Sequence, residues 1–373
     1  MCSTILSIGK LKMKELKSYY LQIDMEYENR KNCPHAILNK LCRDILRLAE
    51  GFGGCLAEPQ NDLSTIHLIS KKEIVDNDCF SEFFKEQRIF IKLENDCDGF
   101  AVEKCFRFTF LYYMERVRWF KMADSMVQDG FLSWKLTNLS RICFKVHCTS
   151  ESEIFIKLEA EFIRIFPFEH WLLDKSERFD DKAIKSGPIS RSIKPRWVTC
   201  LPKLGRGQII KIHRIIPSSS PFESYNEIKA YWKNTCGYLL PAEEPEIYYD
   251  IQFQNGETML YPFFCVLTGP PDTMQVRSNA TRLKETLQAF LTDFENAKIA
   301  ITDVQLIPMK KECQRVTRYL DVLSLPPINS AKMRKVEKVS RVPVESQKRP
   351  ASPTKIYPMT KRQKRPGSNI TVE

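Results

Sequence analysis

The sequence predicts an α+β protein, with mixed sheets and packed helices in two units and a disordered basic tail behind them. Three observations carry this. The apolar period switches repeatedly between about 3.6 and 2 along the first 310 residues. Hydrophobic residues make up 43% of the 373, enough for sizeable cores. From Ala331 onward that periodicity stops, and five prolines and clustered Lys and Arg take over. The expected units are 1–170, then a polar connecting segment at 171–195, a second α+β unit at 196–310, a short helix or linker at 311–330, and the tail at 331–373.

In the first unit, "NCPHAILNKLCRDILRLAEG" reads as a helix. Asn32 is placed to cap it, and Pro34 suits the first turn. Ile37, Leu38, Leu41, Ile45 and Leu48 share one face, and Gly51 ends the run. "STIHLIS" and "RIFIKLE" are short strand-like runs on either side of a brief helix in "CFSEFFKEQ". Phe106, Phe110, Tyr113, Val117 and Phe120 then recur at steps of four and three, which predicts one helix and a core stripe rather than a ligand pocket. From Ile142 to Phe162 the period becomes two on both sides of "TSES", a β-hairpin.

The second unit opens with a strand in "GQIIKIHRII". A helix follows in "SYNEIKAYWKN", where Ser224 and Glu227 form a capping box. Two alternating runs flank Asn255-Gly256, a pair that tolerates the positive φ of a tight hairpin turn. Leu283, Leu287, Phe290 and Phe294 mark an amphipathic helix, and "KIAITDVQLIPM" reads as a further strand.

No motif of a known chemistry is present. "LGRGQII" has a lone Gly-x-Gly, but Ile210 stands where a dinucleotide loop needs its third glycine. The 13 cysteines form no C-x-x-C pair. In "CFKVHC" a strand would place Cys143 and His147 on one face and Cys148 on the other, which does not converge on a tetrahedral metal. The reading is therefore free buried thiols, no metal, no cofactor and no catalytic residue. No apolar stretch approaches the ~18 residues of a membrane span, so no membrane partner is expected.

The punctuation of the second unit is distinctive. Trp197 precedes "LPKLGRGQII", followed by Pro217, "PFESY", Trp232 and "GYLLP". This series resembles an animal family, that of the open-reading-frame protein of human chromosome eighteen, whose shared region is a domain of unknown function. The match is densest over residues 197–241. The resemblance implies a germline setting and supplies no activity, cofactor or catalytic residue. Read physically, Trp197, Phe222, Tyr225, Trp232 and Tyr238 are expected to form one aromatic cluster around the capped helix, either a folding signature or an exposed groove for a peptide.

The tail holds twelve basic residues and three acidic ones, so it carries +9 of the total +11, and the body is nearly neutral. Lys348-Arg349 and Lys361, Arg362, Lys364 and Arg365 lie on either side of an 11-residue linker, in the pattern of a bipartite nuclear localisation signal. An import receptor of that type stacks Lys and Arg stems on indoles and meets their charged heads with carboxylates. Ser352, within "SPTK", is a candidate phosphosite in the linker. The expectation is a nuclear, non-enzymatic protein-interaction module in a chromosome-associated assembly, with an import receptor and a further nuclear protein as partners. One alternative is a nucleic-acid-binding protein whose tail gives weak, salt-sensitive, nonspecific contact with DNA or RNA. Another is an enzyme without a recognisable motif.

A reporter fused to residues 340–373 should concentrate in the nucleus. Alanine at Lys361, Arg362, Lys364 and Arg365 should return it to the cytoplasm. Microscopy of a fusion too large for passive diffusion checks this, and an unchanged nuclear signal would defeat it.

Overall fold

The computed structural model describes residues 2–27, 30, 34–132, 138–150, 152–168, 190–274 and 280–310. In chain order the elements begin with β1 (Cys2–Lys10), β2 (Leu16–Ile23), α1 (Pro34–Ala49), β3 (Leu56–Pro59), β4 (Thr65–Lys71), α2 (Lys72–Val75), α3 (Asp78–Glu86) and β5 (Ile89–Asp96). They continue with α4 (Gly99–Arg116), β6 (Trp119–Met122), β7 (Ser125–Gln128), β8 (Asn138–Cys148), β9 (Glu153–Arg164), β10 (Ser190–Cys200), β11 (Gly205–His213) and α5 (Tyr225–Tyr231). The last are β12 (Tyr248–Phe253), β13 (Thr258–Pro262), β14 (Val266–Leu267), β15 (Asp272–Met274), α6 (Ala280–Asn296), β16 (Ala300–Ile301), β17 (Val304–Gln305) and β18 (Met309–Lys310).

These strands form three main antiparallel sheets. The central one runs β18-β1-β9-β8-β7-β6, and β15 extends the edge of β9 past β1. A four-stranded sheet runs β3-β4-β2-β5, and a five-stranded one runs β13-β12-β11-β10-β14. The expected α+β class with mixed sheets and packed helices is what the chain adopts.

The period-two alternation of β6 to β9 gives the central sheet two apolar faces. Trp119, Met126, Ile142, Phe144 and Ile156 point into a core shared with α4 and α6. There Phe110 meets Phe144 and Phe294, each at 5.1 Å between ring centroids, and Trp119 meets Phe290 at 4.9 Å. On the opposite face, Phe120, Val127, Leu139 and Ile163 join a second core built with the five-stranded sheet and α5. A third core lies between the four-stranded sheet and α1 to α3, where Leu38, Leu41 and Ile45 meet Leu21, Ile66, Leu68 and Phe80.

Several sequence expectations change here. The helix predicted through Phe120 stops at Arg116; Arg118 adopts a positive φ of 67°, and Phe120 then lies in β6 and packs on the opposite face of the sheet from Phe110. "KIAITDVQLIPM" is not one strand but the short pair β16–β17 followed by β18, because Thr302 and Asp303 reverse the chain at positive φ. The last residues of the expected connecting segment, from Ser190, belong to β10. The expected 196–310 unit shares its C-terminal part with the first: β15, α6 and β18 return to the central sheet. The cap Asn32, the whole of 171–189 and 311–330, and the tail with its signal residues and Ser352 lie outside the described residues.

A buried charge pair ties α1, α4 and the second half of the chain together. Arg43 on α1 meets Glu115 on α4 through Nη1–Oε2 at 2.6 Å and Nη2–Oε1 at 2.9 Å. Their side chains are only 15% and 6% exposed. Gly237 closes over them with φ +74°, and a Cβ there would collide with Glu115 and Arg43 themselves. Removing one charge would leave the other buried without its partner, which costs about 3–5 kcal/mol. Arg43→Met should therefore lower unfolding free energy by that order in a urea titration, and Arg43→Met/Glu115→Met should recover part of the loss. Additive losses in the double variant would show that the pair is not coupled.

Candidate protein-interaction surface

Strand β5 is the exposed edge of the four-stranded sheet. Ile89 anchors it in the core at 5% exposure. Every residue from Phe90 to Asp96 is exposed, although the run is rich in residues that favour strands. Phe90, Ile91 and Leu93 are 59%, 48% and 49% exposed, and Phe100, at the start of α4, is 76% exposed. Pairing with β2 holds the strand in place, with Tyr20 opposite Leu93, Leu21 opposite Ile91, and Lys92 as the extra residue of a bulge between them. Lys17 pins the far end through Asp96 at 2.7 Å.

The two edges of this sheet are treated differently. At β3 the α4 side chain Thr109 occupies the edge: the Ala57 N–H donates to Thr109 Oγ1 at 2.9 Å, and the hydroxyl faces the Ala57 carbonyl at 3.3 Å. Among the described residues no strand pairs with the outer side of β5. A row of open N–H and C=O groups flanked by apolar side chains is the physical basis of strand addition by another polypeptide.

The sheet behind this edge is closely packed. Tyr20 stacks on His67 at 4.5 Å, and His67 Nε2 lies 2.7 Å from Ser18 Oγ. Burial pushes the imidazole pKa down to about 4, so His67 is neutral near pH 7. Burial pushes the thiols of Cys42, Cys55 and Cys105 up, and that of Cys97 up to about 12, which keeps them protonated. His147, considered above beside Cys143 and Cys148, instead lies with Nδ1 at 2.7 Å from Glu103 Oε1. Among the described residues no group of three His, Cys, Asp or Glu converges on a metal position. No described helix is long and apolar enough to cross a membrane.

The motif aromatics of the second half divide into core and surface. Tyr225, Trp232 and Tyr238 are 5%, 4% and 0% exposed. Trp232 touches Tyr238 at 5.8 Å and Tyr261 at 5.4 Å, and the Tyr238 hydroxyl donates to the Lys121 carbonyl. Phe222 packs at the margin of this core against Tyr231. Trp197 is not in the cluster. It points away from the core, 48% exposed, with the Arg206 guanidinium 4.9 Å over its ring. Val198, the next residue, takes the inward place instead, as strand alternation requires.

A family model described as Domain of unknown function (DUF4708) matches residues 5–275. The chain belongs to that family. The DUF4708 span takes in both the exposed β5 edge and the buried motif aromatics. Solved Argonaute structures also align at low similarity. Marinitoga piezophila Argonaute, in complex with 5' OH guide RNA and target DNA, is 10% identical over 79% of this chain and 36% of its own, with a TM-score of 0.29. Clostridium butyricum Argonaute, bound to a guide DNA and a 19-mer target DNA, is 9% identical over 83% and 43%, with a TM-score of 0.35. The chain thus spans less than half of each. At those TM-scores the likeness carries no weight.

The burial of His67 has a pH consequence. Between about pH 6.5, its ordinary value, and about 4, the unfolded chain binds a proton that the native sheet refuses. Stability should therefore fall as pH drops through that window, by about 3 kcal/mol in all for this group. Glu58 and Asp44, raised by burial, act in the opposite sense. The His67 part is the difference between wild type and His67→Gln in urea unfolding followed from pH 7 to pH 4. Parallel profiles would rule it out.

Proposed function

We propose that this DUF4708 protein is a nuclear, non-enzymatic protein-interaction module in a chromosome-associated assembly of the germline. We place its family as the animal family of the human chromosome eighteen open-reading-frame protein. The observation that carries the reading is the β5 edge: seven consecutive exposed residues, three of them large and apolar, with no strand on their outer side among the described residues. Edges of that kind take up an extended segment of another polypeptide, through backbone hydrogen bonds first and side-chain pockets second. The near-neutral body fits a protein surface better than a phosphate backbone.

The basic clusters Lys348-Arg349 and Lys361 to Arg365 supply the address, with an import receptor as the first partner. Ser352 in the linker is where phosphorylation would add about −1.5 to −2 charge beside Arg349 and weaken that import. The +9 tail also favours a second reading, in which it adds weak nonspecific contact with DNA or RNA that fades as salt rises. The proposal assigns no cofactor and no catalytic group.

Cross-linking of the tagged full chain in isolated nuclei, followed by mass spectrometry, tests the docking edge. Lys92 and Lys17 should link to another polypeptide chain. Phe90→Ser/Leu93→Ser should lose those links at an unchanged melting temperature. Links that survive in the variant, or their absence from wild type, would sink the reading.

A further inference from the structure

The charge order along β5 says more about what covers it. The strand reads Ile89-Phe90-Ile91-Lys92-Leu93-Glu94-Asn95-Asp96, so a cation and an anion flank one exposed leucine. Two copies of one strand can pair antiparallel only about a two-fold axis through a residue that faces itself. Placing the axis on Lys92 sets Lys against Lys. Placing it on Glu94 sets Glu against Glu, and on Asn95 it sets Glu94 against Asp96. Placing it on Leu93 sets Lys92 against the other copy's Glu94, twice, with Leu93 against Leu93 between them. Opposite charges directly across an antiparallel pair stabilise it, and like charges oppose it.

Resting on the docking reading above, we propose that the occupant of the β5 edge is a second copy of this chain, paired antiparallel about Leu93. Two four-stranded sheets then join into one of eight strands. The pairing covers Leu93 of each copy and brings the exposed Phe90 and Ile91 of one to face Asp96 and Asn95 of the other. A bulge lysine commonly blunts an edge against pairing. Here the same strand carries the anion that neutralises it: an axis on Ile91 brings no like charges together but leaves Lys92 against Phe90, so within Ile89–Asp96 the Leu93 register alone matches Lys92 with an anion and sets no like charges opposite each other. The other end of the sheet cannot compete, because Thr109 closes the β3 edge. The interface is small, so the dimer is weak and depends on concentration.

Sedimentation velocity of the full chain over a concentration series tests this through charge reversal at exposed sites. Wild type should move from the 43.6 kDa monomer towards twice that mass as concentration rises. Lys92→Glu alone sets Glu against Glu, and Glu94→Lys alone sets Lys against Lys. Each should weaken association on the order of tenfold or more. The double variant Lys92→Glu/Glu94→Lys should restore it. An equimolar mixture of the two single variants should form a one-to-one heterodimer, although neither pairs with itself. A wild type that stays monomeric throughout overturns the second copy as occupant. If Lys92 still cross-links to other nuclear proteins in that case, the docking reading stands without it. A dimer that survives both single reversals places self-association elsewhere and also overturns the proposal.

Discussion

The pairing of Arg43 with Glu115 is the constraint on which the arrangement of the rest depends. Two opposite charges lie almost out of water, one on α1 and one on α4, so each needs the other in place before the core can close. Residue 237 must then pass over the pair without a side chain, which only glycine permits at that φ. The chain that follows is held in turn: Tyr238 is fully buried against Phe120 and Phe131, and its hydroxyl is bonded to the backbone of β6. One ion pair thus sets the position of two helices, one turn and the start of the second core. Nonpolar residues of similar volume could fill the same space, but they would tolerate sliding of α1 along α4, which two-point charge pairing does not.

Around that clamp the central sheet acts as a shared wall. Its strands are apolar on both faces, so neither the helical layer with α4 and α6 nor the five-stranded sheet is covered without it. This explains why the C-terminal elements return to the central sheet. The stripe Leu283, Leu287, Phe290 and Phe294 on α6 needs the Phe110–Trp119 surface, and the five-stranded sheet is already filled by α5, Trp232 and the tyrosines. The aromatic edge-to-face contacts on either side of the wall fix side-chain orientation as well as burying area.

Much of the fold was legible because it is local. The α1 stripe, the β8–β9 hairpin and the Ser224 cap each depend on residues within a few positions, and each forms as its pattern demands; Ser224 Oγ accepts from the Glu227 N–H at 3.3 Å. The hairpin at Asn255-Gly256 also forms, but only Gly256 takes a positive φ, because the Phe253 N–H donates to the Glu257 carbonyl across a three-residue loop. What was not legible is set by partners far away in sequence. Gly237 stands out as punctuation, but nothing near it says that it clears a pair formed by residues 43 and 115. Phe120 fits the helical stripe by spacing, yet the positive φ at Arg118 turns it to another layer. Trp197 belongs to the motif by composition, but strand parity with Val198 turns it outward. The exposure of β5 was the hardest feature to read. "RIFIKLE" has the apolar content of a core strand, and only the three-dimensional arrangement shows that, among the described residues, no layer covers it.

That last mismatch links structure to the proposed role. An edge strand exposed on both faces, with no outer partner among the described residues, is a liability in any crowded compartment, and folds usually blunt such edges. This sheet shows the remedy on one side, where a threonine from α4 is spent on the β3 edge, and withholds it on the other. The open strand is held by its pairing with β2 and by Ile89 in the core, and Lys17 meets Asp96 at its far end. A strand that is ordered by its pairing with β2, apolar and exposed is pre-organised for pairing, because the entropy of ordering it has already been lost on folding. Three large apolar residues exposed along one ordered strand, at Phe90, Ile91 and Leu93, distinguish β5 from exposed apolar residues such as Phe166, Ile215 and Leu239, which lie apart in sequence.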